Sequence, residues 1–454
     1  MGPYQAVLAL SPRHSRALVI RHSETSLLVW KEGGLESLIT LGATGYPVHG
    51  SVPYPLYRMH CLVSTLLSLV ASGLFCVALE VNPHNGALSV SKVEDRAASV
   101  RVTALHAINA GRKGYVKLET SEGIVGWGEI NNMNTPIACQ LAESLGELIV
   151  GENPTRVEHL WQRMYRSHRN LRGGGLMTHV ISGIDMALWD IAGKLHGVPV
   201  YRLLGGPCRD KIWMYPSPKA IKISPGKAHY HAGTPEQIES ILQRIRDARA
   251  KVGADGAVMF DAHSMLPPLF VRQLGSYLKS DDLMFLEEAW VPGNIEVMKR
   301  VREEVPVPLA TGERDRGIWE VREILEAQVV DILQPDCGHG GGITQMKKVA
   351  ALAEAHHVPI APHCTMSYLG LTASLHVAAS VPFFLIHEGY TSQMAEGVAQ
   401  KTWTMDEDGF VDLPEGPGLG VEMDEVLARQ VGEQQDQKFD WPDNRLIDGS
   451  VADY

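Results

Sequence analysis

From Arg101 onward hydrophobic and polar residues fall into regular patterns, whereas residues 1–97 show no clean periodicity. VTALHAI and GYVKLETSEGIVGWGEI alternate as strands do, with Glu122-Gly123 marking a turn inside the second stretch. TPIACQLAESLGELIVG and RVEHLWQRMYRSH place apolar residues at every third or fourth position, which predicts helices. HVISGIDMALWDIAGKLHG predicts an amphipathic helix stopped at Gly197. Strands followed by helices imply a small α+β capping domain over 98–206.

The next part of the chain alternates more strictly. AVMFDAH, LMFLEE, PLATGE, VVDILQPD, PIAPHC and FFLIHE are short apolar strands that finish in acidic or histidine residues. Between them lie helical patterns such as NIEVMKRVREEV, IWEVREILEAQ and ITQMKKVAALAEAHH. This alternation implies parallel strands with right-handed crossovers, and this many units predicts a closed, TIM-type α/β barrel over 207–395. A turn-rich segment, 396–454, is expected to leave the barrel and return to the capping domain. One join breaks the rhythm. IWMYP (212–216) and AIKIS (220–224) both read as strands, yet only three residues lie between them. A parallel crossover takes a dozen or more, so either the barrel lacks its first helix or one strand is misassigned.

Composition narrows the functional classes. The formal net charge of -11 over 454 residues leaves no excess positive charge for phosphates, which argues against a nucleic-acid partner. The six cysteines are scattered without metal-type spacing and read as reduced thiols in a cytoplasmic compartment. Cys61–Leu79 runs 19 residues without a charge, near the length of a membrane span. A membrane-anchored or secreted protein is therefore an alternative, though not the favoured one. The pattern assigns no role to the extension 1–97.

The chemistry lies at the strand ends. Asp261, Glu287, Glu313, Asp336, His363 and Glu388 follow one another at steps of 26, 26, 23, 27 and 25 residues, one barrel strand each. Barrel active sites form at the C-terminal ends of the strands, so these side chains should meet at one mouth. Asp261, Glu287 and Glu313 would make an all-oxygen site of the kind Mg²⁺ takes, and their mutual repulsion calls for a cation. Neighbouring parallel strands stand about 4.8 Å apart. Asp336 can therefore accept the N–H of His363, fix its tautomer and raise its basicity. His263, two residues beyond Asp261, falls on the same face if the strand persists, and is a second candidate acid. Lys219 and Lys222 read as solvated lysines, and His356, His357 and His376 as structural. His339 follows Asp336 in a Gly-rich turn, within possible reach of a ligand.

These residues, together with ISGIDMALWDIAGK, PVYRLLGG, FDAH, FLEE, TGE, LQPD, APHC and PGLG, resemble the enolase superfamily in its mandelate racemase-like subgroup, over about residues 101–425. Asp261-Ala262-His263 with the Asp336/His363 pair looks like the galactonate dehydratase type of sugar-acid dehydratase. The resemblance implies Mg²⁺ on Asp261, Glu287 and Glu313, and His363, assisted by Asp336, as the base. It also implies His263 as general acid, Glu388 as a hydrogen-bonding partner of a sugar-acid substrate, and a homo-oligomer. Three features depart from the pattern: Trp290 two residues past Glu288, where it could shape the pocket; no Lys-x-Lys on the second strand; and a short INAGRKG loop. Two alternatives stay open. One is an epimerase or racemase of a 2-hydroxy acid, with Lys222 or His263 as second base. The other is a non-catalytic member of the superfamily.

Overall fold

The computed structural model describes residues 99–454 apart from 132–133, 227–232, 291–292, 390–396, 401–402, 435–444, 447 and 452–454; within 1–98 it describes the backbone of seven strands. The chain divides into two units, Met1–Val93 and Glu94–Tyr454. In the first, β1 (Gln5–Leu10), β2 (Arg16–Ser23), β3 (Ser26–Lys31), β4 (Gly34–Leu41) and β5 (Pro47–Val48) form an antiparallel sheet, and β6 (Leu79–Val81) pairs with β7 (Leu88–Val90). Residues 61–78 of the apolar stretch lie outside the described residues. Among the described residues, no helix is long and apolar enough to cross a membrane.

The second unit opens with a three-stranded antiparallel sheet of β8 (Val102–Ala110), β9 (Lys113–Thr120) and β10 (Val125–Ile130). Against it pack α1 (Thr135–Gly146), α2 (Val157–Ser167) and α3 (Gly175–His196). Helix α3 starts earlier than its apolar periodicity suggested, and it ends where the sequence indicates, with Gly197 at φ 67°. The two glycines of β10 have a packing reason. A Cβ on Gly128 would lie 1.8 Å from the Gly183 carbonyl oxygen and one on Gly126 2.2 Å from that of Ala187, so only glycine lets α3 rest on β10. Val180, Ile181, Ile184, Leu188 and Ile191 of α3 are fully buried there, each contributing about 1.5–3 kcal/mol.

After α4 (Val200–Leu203) the barrel begins, with β11 (Lys211–Tyr215), β12 (Ala220–Ile223) and α5 (Pro235–Val252). The β/α units follow: β13 (Ala257–Asp261) and α6 (Pro268–Gly275), β14 (Phe285–Glu287) and α7 (Ile295–Glu304), β15 (Leu309–Thr311) and α8 (Gly317–Ala327), β16 (Ile332–Leu333) and α9 (Gly342–Ala355). Strands β12 to β16 form one parallel sheet. Single parallel bridges carry the pairing from Leu333 to Ile360 and from Ile360 to Phe384, beyond which lie α10 (Tyr368–Ser380) and β17 (His387–Glu388). β17 pairs in parallel with β11, so eight strands run round the barrel, with no ladder between β11 and β12. Tyr215, Ala220, Ala257, Met259, Phe285, Ala310, Ile332, Ala361 and Ile386 join in one buried cluster that draws on every strand, as the interior of a barrel does.

Both strands at the irregular join are present, and the helix between them is absent. Ser217 and Ala220 each donate a backbone N–H to the other's carbonyl (2.8 and 3.2 Å), so Pro218-Lys219 is a tight turn. Downstream, β18 (Ala399–Gln400) pairs with β20 (Glu422–Met423), and β19 (Phe410–Asp412) runs antiparallel to β11. Helix α11 (Glu425–Gln434) brings Gly432 against the Asn109 carbonyl of β8.

Candidate active site

Strand alternation decides which strand-end residues face inward. Phe285 fills the barrel interior and Leu286 the helical shell, so Glu287 is aimed at the mouth. Glu288 then turns away with φ 47°, where its carboxylate accepts from Thr311 Oγ1 (2.6 Å) and Arg314 Nε (2.8 Å). The acidic pair thus splits between two tasks. Trp290 is fully buried among the hydrophobic residues of the helical shell, which rules out the pocket-shaping place that its sequence position suggested.

All seven predicted site residues belong to one connected set. Asp261 and Glu287 are paired across β13 and β14. His363 Nδ1 stands 2.6 Å from Asp336 Oδ2. A carboxylate only accepts, so Nδ1 carries the proton and Nε2 is turned to the mouth, 3.6 Å from Glu313 Oε2 and 3.8 Å from Glu388 Oε2. Burial alone would pull His363 down; Glu313, Glu388 and Asp336 outweigh it and hold the imidazole well above its usual pKa. Asp336 is held in place by the backbone N–H groups of Gly338 (2.6 Å) and His339 (2.9 Å). Its burial is offset by His339 and His363, which keep it below the usual carboxylate range.

Two residues depart from the sequence reading. β13 ends at Asp261, and His263 adopts φ 48°, so strand alternation does not place it. Its ring nevertheless folds back, with Nε2 2.8 Å from Asp261 Oδ2. Burial lowers His263, but the hydrogen bond to Asp261 prevails and its pKa is raised. Lys222 is not a solvated lysine. Its side chain is 14% exposed, and Nζ lies 3.0 Å from Asp261 Oδ2, 3.1 Å from Glu287 Oε1 and 2.8 Å from Glu388 Oε1. Alternation from Ala220, an interior residue, was the signal that could have revealed it. One ammonium cannot neutralise every acid around it. Despite burial, Lys222 holds Asp261 down, whereas Glu287, buried beside Asp261, is pushed well up.

The predicted carboxylates are held more widely than a closed ligand set. Among the described residues, the group of such side chains with ligand atoms mutually within 4.8 Å is Asp336, His339 and His363. His339 is fixed by its Nδ1, 3.0 Å from the Glu313 carbonyl oxygen.

The capping sheet also reaches the site, through residues without a sequence signal. Lys113, the first residue of β9, donates to Asn131 Oδ1 (2.9 Å) and to the carbonyl of Thr365 (2.8 Å), just past His363. Asn131 donates to Thr365 Oγ1 (3.0 Å), and its carbonyl lies 2.8 Å from His179 Nδ1. The His179 ring stacks on His339 with centroids 4.4 Å apart. Buried Glu129 accepts from the backbone N–H groups of Ser367 (2.9 Å) and Gly370 (3.1 Å), tying α10 to the cap.

Comparison with known proteins agrees with this fold. Residues 87–205 match the mandelate racemase/muconate lactonizing enzyme N-terminal domain, and residues 216–427 match the enolase C-terminal domain-like family. D-galactonate dehydratase of Ralstonia pickettii is 34% identical over 371 residues, covering 75% of this chain and 96% of the relative. D-galactonate dehydratase of Xanthomonas oryzae pv. oryzae is 34% identical over 391 residues, covering 78% and 99%. A crystal structure of an enolase superfamily member from Salmonella Typhimurium superposes with a TM-score of 0.69 at 27% identity, covering 73% of this chain and 98% of that one.

Proposed function

Because the chain belongs to the enolase superfamily, in its mandelate racemase/muconate lactonizing enzyme branch, we propose that it is a magnesium-dependent hydro-lyase. It takes water from a sugar acid, an aldonate of the galactonate kind, and leaves a 2-keto-3-deoxy acid. The observation that carries this reading is the Asp336–His363 contact of 2.6 Å at the same barrel mouth as Asp261, Glu287 and Glu313.

The acids fit a hard cation. Glu313 Oε2 is buried without a hydrogen-bond donor, the anionic Asp261 and Glu287 stand side by side on neighbouring strands, and every proposed ligand atom is a carboxylate oxygen. Asp261, Glu287 and Glu313 would hold Mg²⁺. When bound, the ion supplies positive charge beside the substrate carboxylate as the α-carbon loses its proton. The remaining work falls to the chain. His363 takes the α-proton on Nε2 while Asp336 keeps Nδ1 protonated and the ring oriented. The electron pair left on the α-carbon expels the β-hydroxyl, which takes a proton from His263 and departs as water. The enol that remains tautomerises to the ketone. Glu388 hydrogen-bonds the substrate.

The missing helix between β11 and β12 removes none of these residues. The reading also includes a homo-oligomer, on the resemblance, and a cytoplasmic location, consistent with unpaired thiols at Cys139, Cys208, Cys337 and Cys364. The test is a screen of the purified chain with Mg²⁺ against aldonic and aldaric acids, galactonate first, detecting 2-keto-3-deoxy products with semicarbazide. Turnover that stops with a chelator is expected. A product of unchanged composition would instead point to an epimerase, and inertness toward every acid would refute the dehydratase.

A further inference from the structure

Lys222 is the residue around which the acids of the mouth gather. Its ammonium touches Asp261, Glu287 and Glu388, which come from three different strands, and its side chain is largely enclosed. It stands over the Tyr215 ring at 5.6 Å, so its remaining open side is aromatic. Two of its three partners are carboxylates proposed to hold Mg²⁺. Breaking such an enclosed pair is costly when the charge left behind has no other partner, and a divalent cation is such a partner.

We propose that Lys222 is an internal competitor of the divalent cation. Its ammonium occupies the space between Asp261 and Glu287 before the ion arrives, and it must give up both contacts for the ion to load. Lys222 thereby lowers the affinity for Mg²⁺ and preserves the fold of the unloaded chain. Once displaced, the ammonium remains at the mouth on a four-carbon stem, free to meet an anionic substrate group. This inference rests on the Mg²⁺ site of the proposed function, but it concerns loading rather than turnover.

The experiment is Mg²⁺ titration of the full chain and of Lys222→Met by calorimetry, after chelator treatment, with thermal melts in parallel. Lys222→Met should bind Mg²⁺ about tenfold more tightly or better, a difference of about 1.4 kcal/mol. Its chelator-treated form should melt below that of the unmutated chain, and saturating Mg²⁺ should narrow that gap. Equal or weaker Mg²⁺ binding by the variant overturns the competition and leaves the dehydratase reading standing. If neither protein binds Mg²⁺, the metal site itself fails and both readings fall.

Amine-reactive footprinting of the unmutated chain covers the case of a variant that does not fold. Labelling of Lys222 should rise severalfold on adding Mg²⁺, with exposed Lys219 unchanged as the internal reference. Labelling that is insensitive to Mg²⁺ would also overturn the competition.

Discussion

From β12 round to β17 the barrel strands are joined by parallel hydrogen bonds, whereas β11 and β12 meet across the Pro218-Lys219 turn with no ladder between them. The two sides carry different chemistry. Asp336 and His363 lie on the laddered side, where Leu333 donates its backbone N–H to Pro359 of the strand after (3.0 Å), and Ala361 and Leu385 each donate theirs to the strand before (both 2.8 Å). Lys222 lies on β12, which is laddered only to β13. Proton transfer tolerates little error in distance, so a base belongs on a strand held from both sides. A lysine that must change partners suits a strand with one free edge. In this comparison the absent helix falls where the chemistry needs least rigidity.

Removing the base from the rigid side should have the largest effect. His363→Asn keeps a group that can still donate to Asp336 but loses the proton acceptor at Nε2. Turnover is expected to fall by about 10³-fold, within the usual range for general base catalysis. Exchange of the substrate α-proton with solvent deuterium, followed by NMR, should vanish with it. Exchange that persists in the variant would transfer the base to Lys222 on the seam side or to His263, and revive the epimerase reading.

The two sides were also unequally legible in the sequence. The laddered side announced itself, because each apolar run ends in a residue type that has no place in a strand core. Asp261, Glu287, Glu313, Asp336, His363 and Glu388 could all be placed from that alone. Lys222 reads as solvated because lysine so often is and because the broken rhythm at 217–219 obscures the phase of β12. His263 meets Asp261 as the sequence suggests, but by a different route, since it and Glu288 both adopt positive φ at the strand end, where alternation no longer governs. Lys113, Glu129, Asn131 and His179 reach the site from a different domain. Nothing local in a sequence encodes a contact such as that between Lys113 and Thr365, 252 residues apart.

A smaller effect separates the sides by pH. His376, on α10 behind the laddered side, is fully buried, and its Nδ1 accepts the backbone N–H of Tyr201 (3.2 Å). Its Nε2 then carries the proton, 3.2 Å from the Leu419 carbonyl. Burial lowers its pKa from 6.5 to about 4. A folded-state pKa below the unfolded value means that the neutral ring stabilises the fold above about pH 6.5, and that this stability is lost as pH falls toward 4. Such a shift corresponds to roughly 3 kcal/mol. His376→Gln can both accept from Tyr201 and donate to Leu419 without titrating. Urea unfolding across that pH window should show a shallower decline for the variant, and parallel declines would remove His376 as the cause.

The smallest effect bears most directly on the seam. A backbone amide in a continuous ladder exchanges only when the strands on both sides part, whereas one beside an unpaired edge can exchange through a local opening. Burial does not distinguish the two sides, because Ala220 and Ala257 are both almost fully enclosed. Any difference in exchange must therefore come from pairing. Peptides spanning 217–223 should take up deuterium about 10- to 100-fold faster than peptides spanning 257–261 or 285–287, a gap of about 1.4–2.7 kcal/mol in opening free energy. β11 should resemble the laddered side, since it pairs with both β17 and β19. A slow β11 beside a fast β12 would confine the looseness to the strand that carries Lys222. Equal protection of β12 and β13 would mean that packing alone closes the barrel there, and the adaptable side would be no looser than the rigid one.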